Sequence, residues 1–387
     1  MRKPGLGTWD SGLGRAAVVF SLAAFLAFCT RRPSPPRPYL AFVANQASNT
    51  IAVVNLASFR VTRSIAVAPQ PVEVAARPGS REVYVLSRSG ALSVIPDRQA
   101  GVAKVIRMGG SAADLIFTAD GRHAAALDPA RSELVFFDCS SRTVEGRLRL
   151  SGAISALVFT PDGKTLVAAD QSNNRLIFVD ASSRRVLREV AVGRGPGAMV
   201  VLPNGSKLFV ADSGESKVSA VDLASRQLLS HIEISARPSD LVLKPDGGEI
   251  FVLSRESATL TILDAFHDDV EQEISIGQNP AAAVPSRDST RLYIANSGGG
   301  SVEALDVQNR QVLASTHAGT SPQALALTPD ERFLVVTDLA GSSLAVLGTA
   351  PLSPRASKNV SSSPLPLITT IPVGAQPVSV VVEDGRQ

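Results

Sequence analysis

Phe209-Val210-Ala211-Asp212 and Tyr293-Ile294-Ala295-Asn296 are two copies of one pattern, an apolar run closed by a small polar residue. Phe42-Val43-Ala44-Asn45, Tyr84-Val85-Leu86-Ser87 and Phe251-Val252-Leu253-Ser254 repeat it, and looser copies end at Asp128, Asp170 and Asp338. The closing residues 45, 87, 128, 170, 212, 254, 296 and 338 are spaced by 42, broken once by 41. A fixed period of this length marks a repeat architecture, in which each unit buries its faces against its neighbours.

Three further landmarks keep the same period. A proline stands sixteen residues before the polar residue at Pro71, Pro196, Pro238, Pro280 and Pro322; Ala112 and Ile154 replace it twice, and Pro377 belongs to the last copy. Seven residues after that position come strand-breaking turns such as Pro161-Asp162-Gly163, Pro203-Asn204-Gly205 and Pro245-Asp246-Gly247. A second apolar run ends in Asp, as in Leu176-Ile177-Phe178-Val179-Asp180. Each unit therefore reads as four short strands: A after the proline, B into the small polar residue, C into Asp, and D through segments such as Glu189-Val190-Ala191-Val192.

Four-stranded units of this kind are propeller blades. The predicted fold is all-β, a single closed β-propeller of eight blades over residues 39–387, with seven blades as the alternative. The repeats open on a B strand near Tyr39 and finish on an A strand from Pro377 to Val382. The last strand is thus expected to complete the first blade and hide the open edges. The eighth D strand is placed at Leu367 to Val373, after an insertion rich in Ser and Pro.

The Phe42-Val43-Ala44-Asn45 and Tyr293-Ile294-Ala295-Asn296 motifs, with the step Val373-Gly374-Ala375-Gln376-Pro377, resemble the YVTN family of β-propeller repeats, including YncE-like periplasmic proteins. The resemblance spans residues 39 to 382. It implies an exported prokaryotic scaffold that binds at a funnel face, and it implies no particular chemistry. Relatives more often have seven blades.

The N-terminus reads as an export signal. Ala16 to Phe28 is apolar apart from Ser21, follows Arg2, Lys3 and Arg15, and is too short for the roughly 20 residues of a membrane span. Residues 1–28 are expected to form a signal peptide and 29–38 a Pro/Arg-rich tether. Leu26-Ala27-Phe28-Cys29 resembles a lipoprotein box, with Phe28 in place of the usual small residue. Lipidation at Cys29, cleavage nearby and an uncleaved anchor remain alternatives. The expected location is periplasmic or membrane-anchored at the cell envelope.

The formal charge of +3 comes from this leader, where Arg2, Lys3, Arg15, Arg31, Arg32 and Arg37 face only Asp10. The body is near −2, so it lacks the basic footprint that sequence-independent nucleic-acid binding requires. Cys29 and Cys139 lie in unlike contexts, and His123, His231, His267 and His317 are scattered singly, so neither a structural disulfide nor zinc or attached haem is expected. No Ser-His-Asp order or phosphate-cradling Gly-rich loop is present; Gly298-Gly299-Gly300 falls in a B–C loop with no helix after it.

The ring of small polar residues Asn45, Ser87, Asp128, Asp170, Asp212, Ser254, Asn296 and Asp338 is expected to form turns, like Asp180, Asp222, Asp264 and Asp306. Arg60, Arg142, Arg184, Arg226 and Arg310 are expected in C–D turns as solvated edge residues. Function is sought where blades deviate, in the D–A and B–C loops around one channel mouth. Those deviations are Arg194 and Arg237 before the blade prolines, Glu73, Asp114 and Asp240 just after the proline position, which Ala112 fills in the blade of Asp114, and Arg88, Arg255 and Glu256 after strand B.

The function expected is a non-enzymatic, monomeric envelope scaffold whose funnel face binds a protein, peptide or saccharide. No catalytic residue, resident metal or cofactor is assigned. The competing expectation is a lactonase-like or lyase-like enzyme with a divalent metal held in the channel by Glu73, Asp114 or Asp240.

Overall fold

The computed structural model describes residues 39–96, 101–349 and 365–383. Every regular element there is a strand, numbered β1 to β32 in chain order, and the strands form eight four-stranded antiparallel sheets. The eight-bladed propeller is therefore the observed fold, and the seven-bladed alternative is set aside. The expected signal peptide (1–28), the expected tether (29–38) and the lipidation candidate Cys29 lie outside the described residues.

Blade 1 shows the closure. Its sheet runs β3 (Arg60–Ala66), β2 (Thr50–Asn55), β1 (Leu40–Asn45), β32 (Pro377–Glu383), so the C-terminal strand supplies strand A of the blade that the N-terminal strands begin. Leu40 pairs with Glu383 and Val43 with Val380. The inner strands then touch in cyclic order from β32 through β4 (Pro71–Ala76) and β8 (Asp114–Phe117) to β28 (Pro322–Leu327) and back to β32. The last D strand is β31 (Leu367–Pro372), as expected.

Strands B and C are covered on both faces, which is why they are apolar at successive rather than alternate positions. Alternate side chains of β1 divide between two junctions: Phe42 and Ala44 pack with Val83 and Val85 of blade 2, while Ala41 and Val43 pack with Val335 and Val346 of blade 8. Eight apolar clusters result, each shared by two neighbouring blades. Each fully buried Val, Leu, Ile or Phe contributes roughly 1.5–3 kcal/mol. The D strands are exposed and carry charge, as in Arg185–Ala191, which blunts the outer edge against pairing with other chains.

Blade 2 departs from its neighbours in three ways. Its B–C connection has three residues, 88–90, where the other blades have four. Its outer pair β6 (Ala91–Ile95) and β7 (Lys104–Arg107) lacks the bulge that interrupts the C–D register elsewhere, for example between Val53 and Val54 or between Phe136 and Phe137. The strand β7 has only four residues, where most D strands have seven.

Candidate binding face and channel

The D–A and B–C loops lie together on one side of the ring and are tied backbone to backbone. Arg88 N donates to Gln70 O at 2.8 Å, Ser213 N to Gly195 O at 3.0 Å, Gly214 N to Arg194 O at 2.9 Å and Ser297 N to Asn279 O at 3.0 Å. These contacts hold the loops in one geometry without help from a ligand.

The small polar residues sit beneath these loops and are fully or almost fully buried, from 0 % at Asn45 to 3 % at Asp338. Their role is wider than the local turn expected. Asp128 and Asp170 do bond the following turn, at Ala130 N and Asn173 N. Asp338 instead accepts from Thr320 N and Ser321 N of the D–A loop at 3.0 and 2.8 Å, and Ser87 Oγ donates to Ala68 O. A Cβ on Gly319, whose φ is +137°, would stand 2.3 Å from Asp338 Oδ2, so only glycine lets the loop approach its clamp. The second Asp series does form turns: Asp180 accepts from Ser183 N and from the Ser182 and Ser183 hydroxyls, which hold its carboxyl down at about 2.

The eight residues singled out from the sequence fall into two sets. Arg88, Arg194, Arg237, Arg255 and Glu256 are exposed on the loop face. Arg194 Nε lies 3.5 Å from Glu215, and Arg255 Nε donates to Pro280 O at 3.3 Å. Glu73, Asp114 and Asp240 lie instead on the inner strands β4, β8 and β20 (Asp240–Leu243), at the channel wall.

An inner strand has one edge paired with strand B and one edge facing the channel, whose N–H groups need acceptors. Neighbouring blades supply them. Ser379 Oγ accepts from Val74 N at 3.2 Å, Glu73 Oε2 from Leu115 N at 3.1 Å and Asp114 Oδ2 from Leu157 N at 2.9 Å. Each bond crosses from one blade to the next. Burial, reinforced by the Asp114 carboxylate, pushes Glu73 up to about 8, and burial also raises Asp114. Asp240 accepts from its own neighbour Leu241 N at 2.9 Å; burial raises it too, while the Arg255 charge partly offsets the shift. The structure thus brings Glu73 beside Asp114, and Asp240 beside Arg255. Among the described residues no three His, Cys, Asp or Glu side chains converge as a metal site would require.

The C–D arginines need correction. Arg60 is the first residue of β3 rather than a turn residue; Phe59, with φ +52°, holds the turn position there. Arg142 and Arg310 are not solvated edges either. Arg142 Nη2 lies 2.6 Å from Glu82 of blade 2, and Arg310 lies 2.7 Å from Glu249 of blade 6 and also meets Glu271. Arg184, with φ +58°, packs over Gly146 of blade 3. The physical reason is the turn itself, which aims the residue fourteen places after the small polar end of strand B across the junction at the blade before; at Arg142 and Arg310 it meets an acid at the start of strand B there.

Two polar groupings escaped the sequence. Asp212 Oδ2 accepts from Ser219 Oγ at 2.7 Å, and Ser219 Oγ lies 2.9 Å from His231 Nδ1. Ser219 is fully buried, and its hydroxyl bridges the acid and the imidazole. Burial pushes Asp212 up to about 7. Beside Glu82, the Tyr84 hydroxyl and Arg77 reach the carbonyl of Cys139, whose buried thiol is free and raised to about 11 by desolvation.

The fold and this loop face define the chain as an eight-bladed propeller. Among solved structures it is similar to the dihydro-heme d1 dehydrogenase NirN in complex with DHE, at 14 % identity, covering 90 % of this chain and 77 % of that one with a TM-score of 0.73. Kuenenia stuttgartiensis hydrazine synthase follows at 20 % identity, 68 % and 91 % coverage and a TM-score of 0.57. A functionally unknown protein from Desulfotomaculum acetoxidans DSM 771 matches at 14 % identity, 71 % and 94 % coverage and a TM-score of 0.59. At these identities the likeness is one of fold. No family model and no curated protein matches the chain.

Proposed function

We propose that this is an exported, YVTN-like envelope scaffold that binds an acidic protein, peptide or saccharide on the face made by its D–A and B–C loops. One observation carries the reading: the charge on that face. Its loops hold Arg88, Arg131, Arg194, Arg237 and Arg255 against Glu215 and Glu256, although the body as a whole is slightly acidic. Arg88 and Arg237 have no side-chain partner among the described residues, and the backbone beneath is fixed, so little ordering cost attends binding. Guanidinium groups on a preorganised surface suit carboxylate, sulfate or phosphate partners.

The metal-dependent enzyme reading has less support. Glu73 and Asp114 each give an oxygen to a neighbouring backbone N–H, and Glu73 holds its proton near neutral pH. For a haem-related ligand such as the dihydro-heme d1 dehydrogenase NirN handles, the four histidines are ill placed. His123 opens β9 (His123–Asp128), His231 lies in β19 (Gln227–Glu233), His267 lies in a C–D turn and His317 ends β27 (Gln311–His317); none is on an inner strand.

The test is retention of the purified chain on immobilised polyglutamate and polygalacturonate in a salt gradient. Salt-sensitive retention that is lost in Arg88→Ser/Arg194→Ser/Arg237→Ser/Arg255→Ser supports the reading, and the preferred matrix distinguishes peptide from saccharide. Flow-through on both matrices at low salt overturns it.

A further inference from the structure

In blade 2 a cavity stands where blades 3 and 4 carry a charged pair. In blade 3 the residue opening strand C is Glu133, and Arg147 on strand D pairs with it at 2.7 Å and donates to Met108 O of the preceding D–A loop at 2.6 Å. In blade 4 Arg175 opens strand C, pairs with Glu189 and reaches Ser151 Oγ of the preceding loop at 2.7 Å. A charged pair thus plugs the niche over the preceding loop in both blades. In blade 2 the matching positions are Ala91, which sits opposite Arg107, and Val105, which sits opposite Ser93, in the unbulged C–D pair. Neither side chain reaches the loop of blade 1. A cavity of about 560 Å³ remains, walled by Ala66, Val67, Ala68, Pro69, Val102 and Val105. The volume lies within the range of small-ligand pockets, roughly 300–1,000 Å³.

One charged group lines it. Arg107 is exposed at the end of β7 and has no side-chain partner among the described residues. Val105 is 44 % exposed although it forms part of an apolar wall. A pocket with apolar side chains along one wall and a single guanidinium at its edge is complementary to a molecule with an apolar body and one anionic end.

We propose that the cavity between blades 1 and 2 is a binding site for an amphipathic monoanion of the medium-chain alkyl carboxylate class, its chain against the Val67–Pro69 loop and Val105, its carboxylate on Arg107. The site borders the loop face, with which it shares the Val67–Pro69 loop, but it rests on the cavity and Arg107 and stands without the acidic-partner reading.

Calorimetric titration of the full chain with decanoate and, separately, with decanol tests this. Expected are one saturable decanoate site per chain, about ten-fold weaker binding of decanol and a similar loss for decanoate in Arg107→Gln. Ala91→Glu/Val105→Arg, which rebuilds the plug of blade 3, is expected to abolish binding while leaving the far-ultraviolet spectrum unchanged. Absence of saturable binding overturns the proposal. So does equal affinity for acid and alcohol in the wild-type chain, a result that does not depend on whether any variant folds. Undiminished decanoate binding by the folded double variant overturns it as well.

Discussion

Lys207 Nζ and Asp268 Oδ1 meet at 2.7 Å across the junction of blades 5 and 6, at the position where Glu249 and Arg310 meet one junction further on with the signs exchanged. Glu82 and Arg142 occupy it between blades 2 and 3, and Phe59 and Phe333 fill it with an edge-to-face aromatic pair between blades 1 and 8. The position is a junction staple whose chemistry is free to change provided both sides change together. Lys207→Glu is therefore expected to cost about 1–3 kcal/mol, between the values for exposed and buried pairs. Lys207→Glu/Asp268→Lys recovers most of that loss. Urea denaturation of the two singles and the double gives the coupling energy; strict additivity counts against the staple.

Glu73 sets a pH dependence. Its folded value is about 8 against 4.5 unfolded, so the folded chain holds the proton more tightly. For an acid raised in this way, stability is greatest below about pH 4.5 and falls as pH rises towards 8. Glu73→Gln keeps an oxygen for Leu115 N and removes the titration. Its melting temperature is expected to exceed that of the wild type at pH 9 and to match it at pH 5, with about 2–4 °C for each kcal/mol recovered.

Asp338 clamps the loop that precedes β28 through Thr320 N and Ser321 N. Asp338→Ala leaves both donors buried without an acceptor, at a cost of about 1–3 kcal/mol each before water enters. Amide exchange over residues 319–321 is expected to speed up by at least ten-fold, with the B strand of blade 5 unaffected. Uniform acceleration across the chain counts against a local clamp.

Removing residues 377–387 takes away β32 and exposes the inner edge of β1, together with Phe42 and Val43. The truncated chain is expected to aggregate or to lose cooperative unfolding, because an open ring leaves two junctions uncovered. Addition of the peptide Pro377–Glu383 in trans is expected to restore part of the cooperativity.

The blades were legible because their landmarks are local. A proline, a turn and two closing polar residues recur within one strand or connection, and backbone demands fix them wherever they fall. Glu73, Asp114 and Asp240 were found as departures from the repeat, since the same position carries Ala156, Ala198, Ala282 and Ala324 in four other blades. Their bonding to the next blade was not legible. Arg142 and Arg310 were misread for the same reason: their partners lie 60 and 61 residues away, in a different blade, and the sign of the pair is not constant. The Asp212–Ser219–His231 hydrogen-bonded group spans three strands with separations of 7 and 12 residues, which leaves no contiguous motif.

The pairing of Leu40 with Glu383 also sets an order of events during synthesis. The partner of the first strand is made after every other strand of the ring, so while those strands are being synthesised the opening strands have no inner neighbour. Blades 2 to 8 can assemble as they emerge, each on the one before, but the first blade must wait in a three-stranded form. The slowest contact in the molecule is then its longest loop closure, and chaperone demand should concentrate on the opening segment.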